Sequence, residues 1–371
     1  MATTLIGVND ALAVKLWAKR LAYDIVYKTD ISPLIGESDN DIIQIKSETS
    51  KGAGDQVTYQ LMKKLTQDGI TENQVAQGNG ESLSLYSDAI LINELLFNVG
   101  IPNKGRSIDA QRTLLDLRTA ARRGLKTIWG ERLSVTFFNH VCGYTPQTDL
   151  RYAGNNAIIA PSSTRRIITR VAGPTTSTAD EAITSADTFD LRYVDYAREL
   201  AESASSPVHP INVTGMEGGN DIAGLKYVMF LHPYQVTDLR TNTSTAQWFD
   251  IQKAAMQGGK ISGNPLYTDA IGEYNNVILR KSPHVTQGVN SSTGAAITTV
   301  RRAVLVGGQA AAIAFGQDMS DTDFNWNEEL FDHKRKMEVS VMTIWGMKKI
   351  QYASTDANTV VVSSYAAKHT N

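Results

Sequence analysis

The sequence predicts an α+β protein. Three features carry that expectation: a helical pattern running from Ser107 to about Cys142, two alternating strands joined by a polar stretch between residues 56 and 86, and alternating strand and helix patterns from about 205 to 316. With 371 residues, 42% hydrophobic and 20% charged, the composition is that of a globular protein of two or three structural units. Thirty-six basic against 38 acidic residues leave a formal charge of -2. A strongly cationic nucleic-acid binder, which clusters Lys and Arg for phosphate affinity, is not expected. A single cysteine, Cys142, excludes an intrachain disulfide and a Cys-rich zinc module. The opening MATTLIGVNDALAVKLWAKR lacks the basic region and apolar run of a secretory leader, and no run of about 18 apolar residues offers a membrane span. The expectation is a soluble, intracellular-type protein.

Taken in order, Asn9 to Tyr27 reads as a helix capped by Asn9. Val14, Trp17, Leu21 and Ile25 share one face, and Leu12, Leu16 and Tyr23 add a second stripe, so this helix wants partners on two sides. Ile42, Ile43 and Ile45 make a short strand. After the turn Lys51–Asp55, the segment Gln56–Leu61 alternates polar and apolar as a half-buried strand does. Asp68-Gly69 signals a turn, and the stretch to Gly80 is rich in Gly, Asn and Gln. The chain returns through Ser82–Tyr86 and on to Phe97. Two strands with a polar tip are marginal alone, so this hairpin reads as an arm that needs support.

Leu114, Leu117, Ala121, Leu125 and Ile128 then recur at helical spacing, with Arg112, Arg118, Arg122, Arg123, Lys126 and Arg132 around them. A helix from 107 to 142 would span about 50 Å at 1.5 Å per residue, the length of a strut. At this net charge its arginines read as a solvated or salt-bridged face. Thr145 to Asp187 is Ser-, Thr-, Ala- and Gly-rich apart from Arg165–Thr169 and reads as a surface excursion. A helix is expected at Asp187–Ser203, a buried strand at Leu225–Leu231 and a helix at Ser244–Gln257. Further strands are expected at Val277–Leu279, Ala303–Val306, Glu338–Tyr352 and Thr359–Val362. No internal repeat is present.

Chemistry is hard to find. None of G-x-S-x-G, the phosphate-loop motif, H-E-x-x-H or C-x-x-C occurs. Gly259-Lys260 misses the phosphate loop twice, with Ala254 and Ile261 where a glycine and a hydroxyl are required. Asp321 and Asp323 could hold a divalent cation, although acids in a polar loop are more often simply solvated. His140 and Cys142 lie two apart on a helix and point in different directions, so they do not form a base and nucleophile; Cys142 reads as a small buried hydrophobe. His209, His232, His284, His333 and His369 show no ligand spacing. Gly307-Gly308 follows a strand, but Gln309–Phe315 is too short for the helix of a dinucleotide site. No catalytic, cofactor or metal site is expected.

The order of parts, together with five stretches, resembles a known family. Gly7–Trp17, Lys51–Thr58, Leu65–Ile70, Phe137–Gly143 and Trp326–Glu329 are similar to segments of the tailed-phage major capsid proteins typified by the coats of N-four-like phages, whose fold is Hong Kong 97-like. The resemblance implies an N-arm at 1–50, an E-loop at 51–106, a P-domain at 107–204 with spine helix 107–142 and a surface insert, an A-domain at 205–316, and closing P-domain strands at 317–371. It implies a structural, non-enzymatic subunit that assembles with itself as hexamers and pentamers into an icosahedral head around double-stranded DNA. Portal and scaffolding proteins, and a decoration protein, would be partners; DNA would be a non-specific content. The subunit would reside in the virion, and in host cytoplasm during assembly. No membrane contact and no cofactor is implied. Contacts between subunits are expected at Val14, Trp17, Leu21, Val57, Tyr59, Leu61, Asp68, Gly69, Leu83 and Leu85, because an exposed β-arm is a pairing hazard in a monomer and an asset on a neighbour. Lys51, Lys63 and Lys64 lie on the arm, but no motif supports the Lys–Asn crosslinking of some coats. The alternatives are an encapsulin-type compartment shell and, from another class, an intracellular metal-dependent enzyme using Asp321 and Asp323.

Overall fold

The computed structural model describes residues 31, 34–46, 55–62, 68–72, 75, 77–78, 80–82, 85–104, 107–108, 116–171, 179–212, 225–242, 272–316 and 324–369. The expected helices at 9–27 and 244–257, and the acid pair Asp321 and Asp323, lie outside these residues. In chain order the described elements begin with β1 (Ile35–Gly36), β2 (Ile43–Lys46), β3 (Gln56–Met62), β4 (Leu85–Leu91) and β5 (Asn93–Pro102). Next come α1 (Leu117–Val141), β6 (Arg166–Ile168), α2 (Leu191–Ser203), β7 (Ile211–Asn212), β8 (Leu225–Leu231) and α3 (Pro233–Thr241). The chain continues through β9 (Gly272–Tyr274), β10 (Val277–Lys281), β11 (Gln287–Val289), β12 (Ala296–Val306) and β13 (Ala311–Phe315). It finishes with β14 (Asn325–Phe331), β15 (Lys336–Lys349), β16 (Gln351–Tyr352), β17 (Thr355–Asp356) and β18 (Thr359–Tyr365).

Two sheets organise the molecule. The smaller has six strands in the order β1-β2-β13-β15-β14, with β5 also antiparallel to β15. The larger has eight, in the order β6-β18-β12-β8-β10-β9, with β11 on β12 and β7 on β8. Among the described strands, β3 and β4 pair only with each other, in antiparallel register from Gln56↔Leu91 to Met62↔Leu85. The alternation in β15, buried at Met337, Val339, Val341, Thr343 and Trp345, turns one face of the small sheet toward α1. The apolar runs in β8, β12 and β18 are buried on both faces, as central strands should be.

Helix α1 is the bridge between the sheets. Trp129 meets Phe97, Phe324 and Trp345 edge-on at 5.0, 5.3 and 6.2 Å, which seats the middle of the helix on the small sheet. Near its C-terminal end Phe138 meets Phe230 of β8 at 5.2 Å, joining the helix to the large sheet in one continuous core. The helix spans 25 residues, about 37 Å, rather than the run from 107 expected from periodicity. Asp116 is extended (φ -71°, ψ 96°), and its carboxylate accepts a 2.6 Å hydrogen bond from the Thr119 hydroxyl. The bond to Thr119 is between side chains, and Asp116 caps no backbone N–H of the helix. The glycines at 124 and 130 leave the helix unbroken.

Three further differences follow from chemistry that periodicity does not see. The stretch 145–187 is not surface throughout: besides the excepted segment Arg165–Thr169, where β6 is buried, Ala153, Asn156, Asp180 and Asp187 are enclosed. Asp180, fully enclosed, binds Arg166, accepts from Arg302 Nε at 2.9 Å and from the Val289 amide at 2.9 Å, and Arg302 donates onward to the carbonyls of Gly143 and Cys142 at 2.7 and 3.2 Å. Burial alone would raise the Asp180 carboxyl, but Arg302 and Arg166 outweigh it and hold it below the usual carboxylate range. Polar composition therefore masked an ionic anchor at the end of α1. Residues 311–315 form strand β13, in the small sheet. Helix α3, which periodicity missed, starts at a reciprocal cap between His232 and Gln235 with Pro233 in the first turn.

Candidate assembly surfaces

The arm is where the sequence placed most candidate contacts, and its two ends differ. At the root, Val57 and Tyr59 alternate inward and are buried with Ile90, Ile92, Ala312, Ala314 and Ile350. This corrects the expectation that their side chains are exposed in a lone subunit: they face their own small sheet. The Tyr59 hydroxyl donates to Asp88 at 2.9 Å, and Lys348 of β15 reaches the same carboxylate at 2.5 Å. Burial and the Asp88 charge push the Tyr59 phenol up, so it stays a donor. Asn156 clamps β4 from outside, accepting from the Leu91 amide at 2.9 Å and donating to the Leu91 carbonyl at 3.0 Å. A Cβ on Gly346 would sit 2.0 Å from the Leu91 carbonyl oxygen, so only glycine lets β15 pass beneath the arm.

Beyond the root the arm leaves its subunit. Asp68 and Gly69 are exposed, Gly69 takes a positive φ (+82°) that glycine adopts readily, and Leu85 is 59% exposed. Leu91, 47% exposed, was missed by sequence reasoning, although strand alternation from Leu85 would have found it. Leu61 lies in β3, but its side chain falls outside the described residues, as do Leu83, Val14, Trp17 and Leu21. Lys51, Lys63 and Lys64 are also outside them.

The resembling motifs sit at junctions. Within Phe137–Gly143, the two phenylalanines join α1 to the large sheet. His140 Nε2–H donates to the Ala153 carbonyl at 2.8 Å and Asn139 to the Tyr152 carbonyl at 3.1 Å, so together they hold the loop that carries Asn156. Burial pushes His140 down to about 4, leaving the ring neutral at pH 7. Cys142 is fully buried with its Sγ 3.3 Å from the Arg302 carbonyl, and burial pushes the thiol up. Within Trp326–Glu329, the indole N–H donates to Glu328 at 2.9 Å, and Glu328 binds Arg118 through two hydrogen bonds of 2.8 and 2.9 Å at the start of α1. Gly307 is a packing glycine, since a Cβ there would meet the His209 carbonyl oxygen at 2.2 Å, and a strand follows it rather than a helix.

A second exposed feature was not foreseen. The turn between β14 and β15 presents Asp332, His333, Lys334, Arg335 and Lys336, all exposed. Asp332, His333 and Lys334 are all left-handed, with φ of 51°, 51° and 70°, a costly conformation for residues with a Cβ. Asn103 supports it, its amide donating to the Arg335 carbonyl and its side chain to the Lys334 carbonyl, both at 2.9 Å.

The family model described as "Phage capsid protein" matches residues 5–368. The major capsid protein of Pseudomonas phage KPP25 is 25% identical over 368 residues, covering 91% of this chain and 90% of that protein. Among solved structures, the capsid of Ralstonia phage GP4 aligns over the whole of both chains at 26% identity with a TM-score of 0.74. The capsid asymmetric unit of cyanophage Pam1 covers 93% of this chain and 94% of its own at 22% identity and a TM-score of 0.71. The α+β capsid fold expected from the resemblance is the fold these structures share with the chain.

Proposed function

The chain belongs to the phage capsid protein family, and from that premise we propose that it is the major capsid protein of a tailed phage, assembling as hexamers and pentamers into the icosahedral head that encloses the double-stranded DNA. The observation that carries this reading is the division of the arm. Its root is fixed by buried contacts while its far end, with Asp68, Gly69 and Leu85, is exposed on the lone subunit. A two-stranded ribbon of that kind is marginal without a further surface, and a neighbouring subunit supplies one. Asp68, Gly69, Leu85 and Leu91 are the contact residues this reading favours on the arm. Val14, Trp17 and Leu21 remain candidates on the N-terminal helical pattern.

The expected division into N-arm, E-loop, P-domain and A-domain is kept, with two adjustments that sheet membership supports. Strands β6 and β18 pair within the large sheet and go with the A-domain; β13 pairs within the small sheet and goes with the P-domain. As a capsid protein the subunit is part of the virion, and we place its assembly in host cytoplasm, with portal and scaffolding proteins, and a decoration protein, as partners. The test is negative-stain electron microscopy with light scattering on the expressed protein. Closed shells, or free hexamers and pentamers, are expected. A uniform small oligomer carrying a stoichiometric divalent metal would overturn the reading in favour of an enzyme.

A further inference from the structure

The two sheets do not close on each other everywhere. Between the segment leading into β2 of the small sheet and strands β7, β8 and β10 of the large one lies a cavity of about 440 Å³, within the size range of small-molecule sites. Its apolar walls are Leu34, Ile42, Ile211, Val228 and Ile278, and Arg280 stands among them. Strand alternation explains that placement. Val277 and Leu279 of β10 face the core shared with α2, so Ile278 and Arg280 turn to the opposite side of the sheet, where the cavity is. In the parallel register Ile278 lies beside Val228 and Arg280 beside Phe230, so the guanidinium rises from an apolar surface.

Arg280 is half-buried and makes no ion pair or hydrogen bond among the described residues. The enclosed Arg166 and Arg302, by contrast, share Asp180. A guanidinium stays charged at every working pH, and one partly withdrawn from water gains from a bound anion. The carboxylate in the cavity wall, Asp41, is turned aside. Its Oδ2 accepts from the Ser38 amide at 2.9 Å, and a Cβ on Gly36 would lie 2.0 Å from the same oxygen, so the group is packed into the loop between β1 and β2. Lys226, on the same face of β8 as Val228, is taken by Glu273 at 2.7 Å. The charge the chamber offers a ligand is therefore positive. Its rim is fixed: Asn40 Nδ2 donates to the Asn212 carbonyl at 2.8 Å, and the Asn212 amide donates back to Asn40 at 2.5 Å. A preformed site of this kind binds without a large ordering cost.

We propose that this cavity binds a monocarboxylate with an aliphatic chain, the carboxylate paired with Arg280 and the chain lying among Leu34, Ile42, Val228 and Ile278. Guanidinium and carboxylate match in geometry and form two parallel hydrogen bonds, while the chain leaves water for the apolar wall. The ligand touches both sheets at once, so occupancy braces one against the other. The site does not depend on the capsid reading and stands or falls by itself.

Calorimetry and thermal unfolding of the full chain test this, with dodecanoate as the probe. At a hundred times its dissociation constant, on the order of saturation, dodecanoate should raise the unfolding midpoint by about 4 °C. Arg280→Gln, which removes the charge, should weaken binding by about tenfold. Ile278→Trp, which fills the chamber, should abolish it while circular dichroism matches the unaltered chain; if that variant does not fold, Arg280→Gln decides alone. Dodecyltrimethylammonium, with the same chain and the opposite charge, should leave the midpoint without an upward shift. Absence of dodecanoate binding by the unaltered chain, or equal binding by Arg280→Gln, overturns the proposal. An equal upward shift from the cationic amphiphile would mean adsorption to apolar surface at large, and the proposal also falls.

Discussion

At the root of the arm, Val57, Tyr59 and Ile90 are buried, Asp88 is held by Lys348 and Tyr59, and Asn156 grips both backbone groups of Leu91. At its far end Asp68, Gly69, Glu72 and Glu81 are exposed. The strand pairing recorded for the ribbon runs from Gln56↔Leu91 to Met62↔Leu85 and belongs to the root. On the reading proposed above, the root would set the direction in which the arm meets a neighbour. Stability and assembly would then be carried by different residues of one hairpin, and each can be altered separately.

The sharpest way to break this separation is to delete Gln67–Gly80. Shells should be lost altogether while thermal unfolding of the subunit is unchanged to within about 0.5 kcal/mol, as for surface changes in general. Normal particles from that deletion would show that the far end is not an assembly element. Gly346→Val attacks the root instead. With the Leu91 carbonyl 2.0 Å from the new Cβ, the arm must shift or β15 distort, at a cost of about 3 kcal/mol, and denaturant unfolding would register it. A variant of unchanged stability would mean that the arm is not held there.

A third expectation concerns acid. Burial takes His140 from 6.5 to about 4. An unfolded chain protonates this ring below about pH 6.5, whereas the folded chain resists protonation until about pH 4. The stability contributed by the neutral ring is complete above the higher value and is lost as pH falls toward the lower, a change of about 3 kcal/mol. His140→Gln, which can still donate to the Ala153 carbonyl, should flatten unfolding free energy against pH over that window; an unchanged slope would remove His140 from the root's support. Smaller still, Asn156→Ala should cost about 2 kcal/mol by leaving the Leu91 amide and carbonyl unpaired. The Leu85→Asp variant is the matching control at the far end, with unfolding unmoved and assembly impaired.

Much of this fold is legible in the sequence where periodicity is strong. The alternation in Gln56–Leu61 and the apolar runs Leu225–Leu231 and Thr359–Val362 mark strands that the structure contains. Periodicity failed where long-range polar chemistry decides. Nothing local to Arg166 or Asp180 announces that Arg302, more than a hundred residues away, completes a buried ionic cluster with them. The same holds for Asp88 and Lys348. The start of α1 was missed for a different reason: the apolar spacing continues through Asp116, whereas the backbone there turns extended. The exposed half of the arm was readable, because a Gly- and Asn-rich tip between alternating strands has few other destinations. Its buried half was not, since Val57 and Tyr59 look the same in sequence whether they face their own sheet or another subunit's.

Strand β18 lies between β6 and β12 in the large sheet, with six of its seven residues buried. It is also the last of the described strands to leave the ribosome. Until Thr359–Tyr365 are delivered, β12 and β6 have no partner between them, and the sheet that α1 leans on through Phe138 stays open. The arm, encoded near the start, is translated long before. On the proposed reading a nascent chain displays its docking arm first and acquires a finished body only near the end of translation, so interrupted chains would not offer neighbours a complete subunit. Termination just before Thr359 should yield protein that is cleared by cellular proteases rather than built into particles, a form of proofreading by topology.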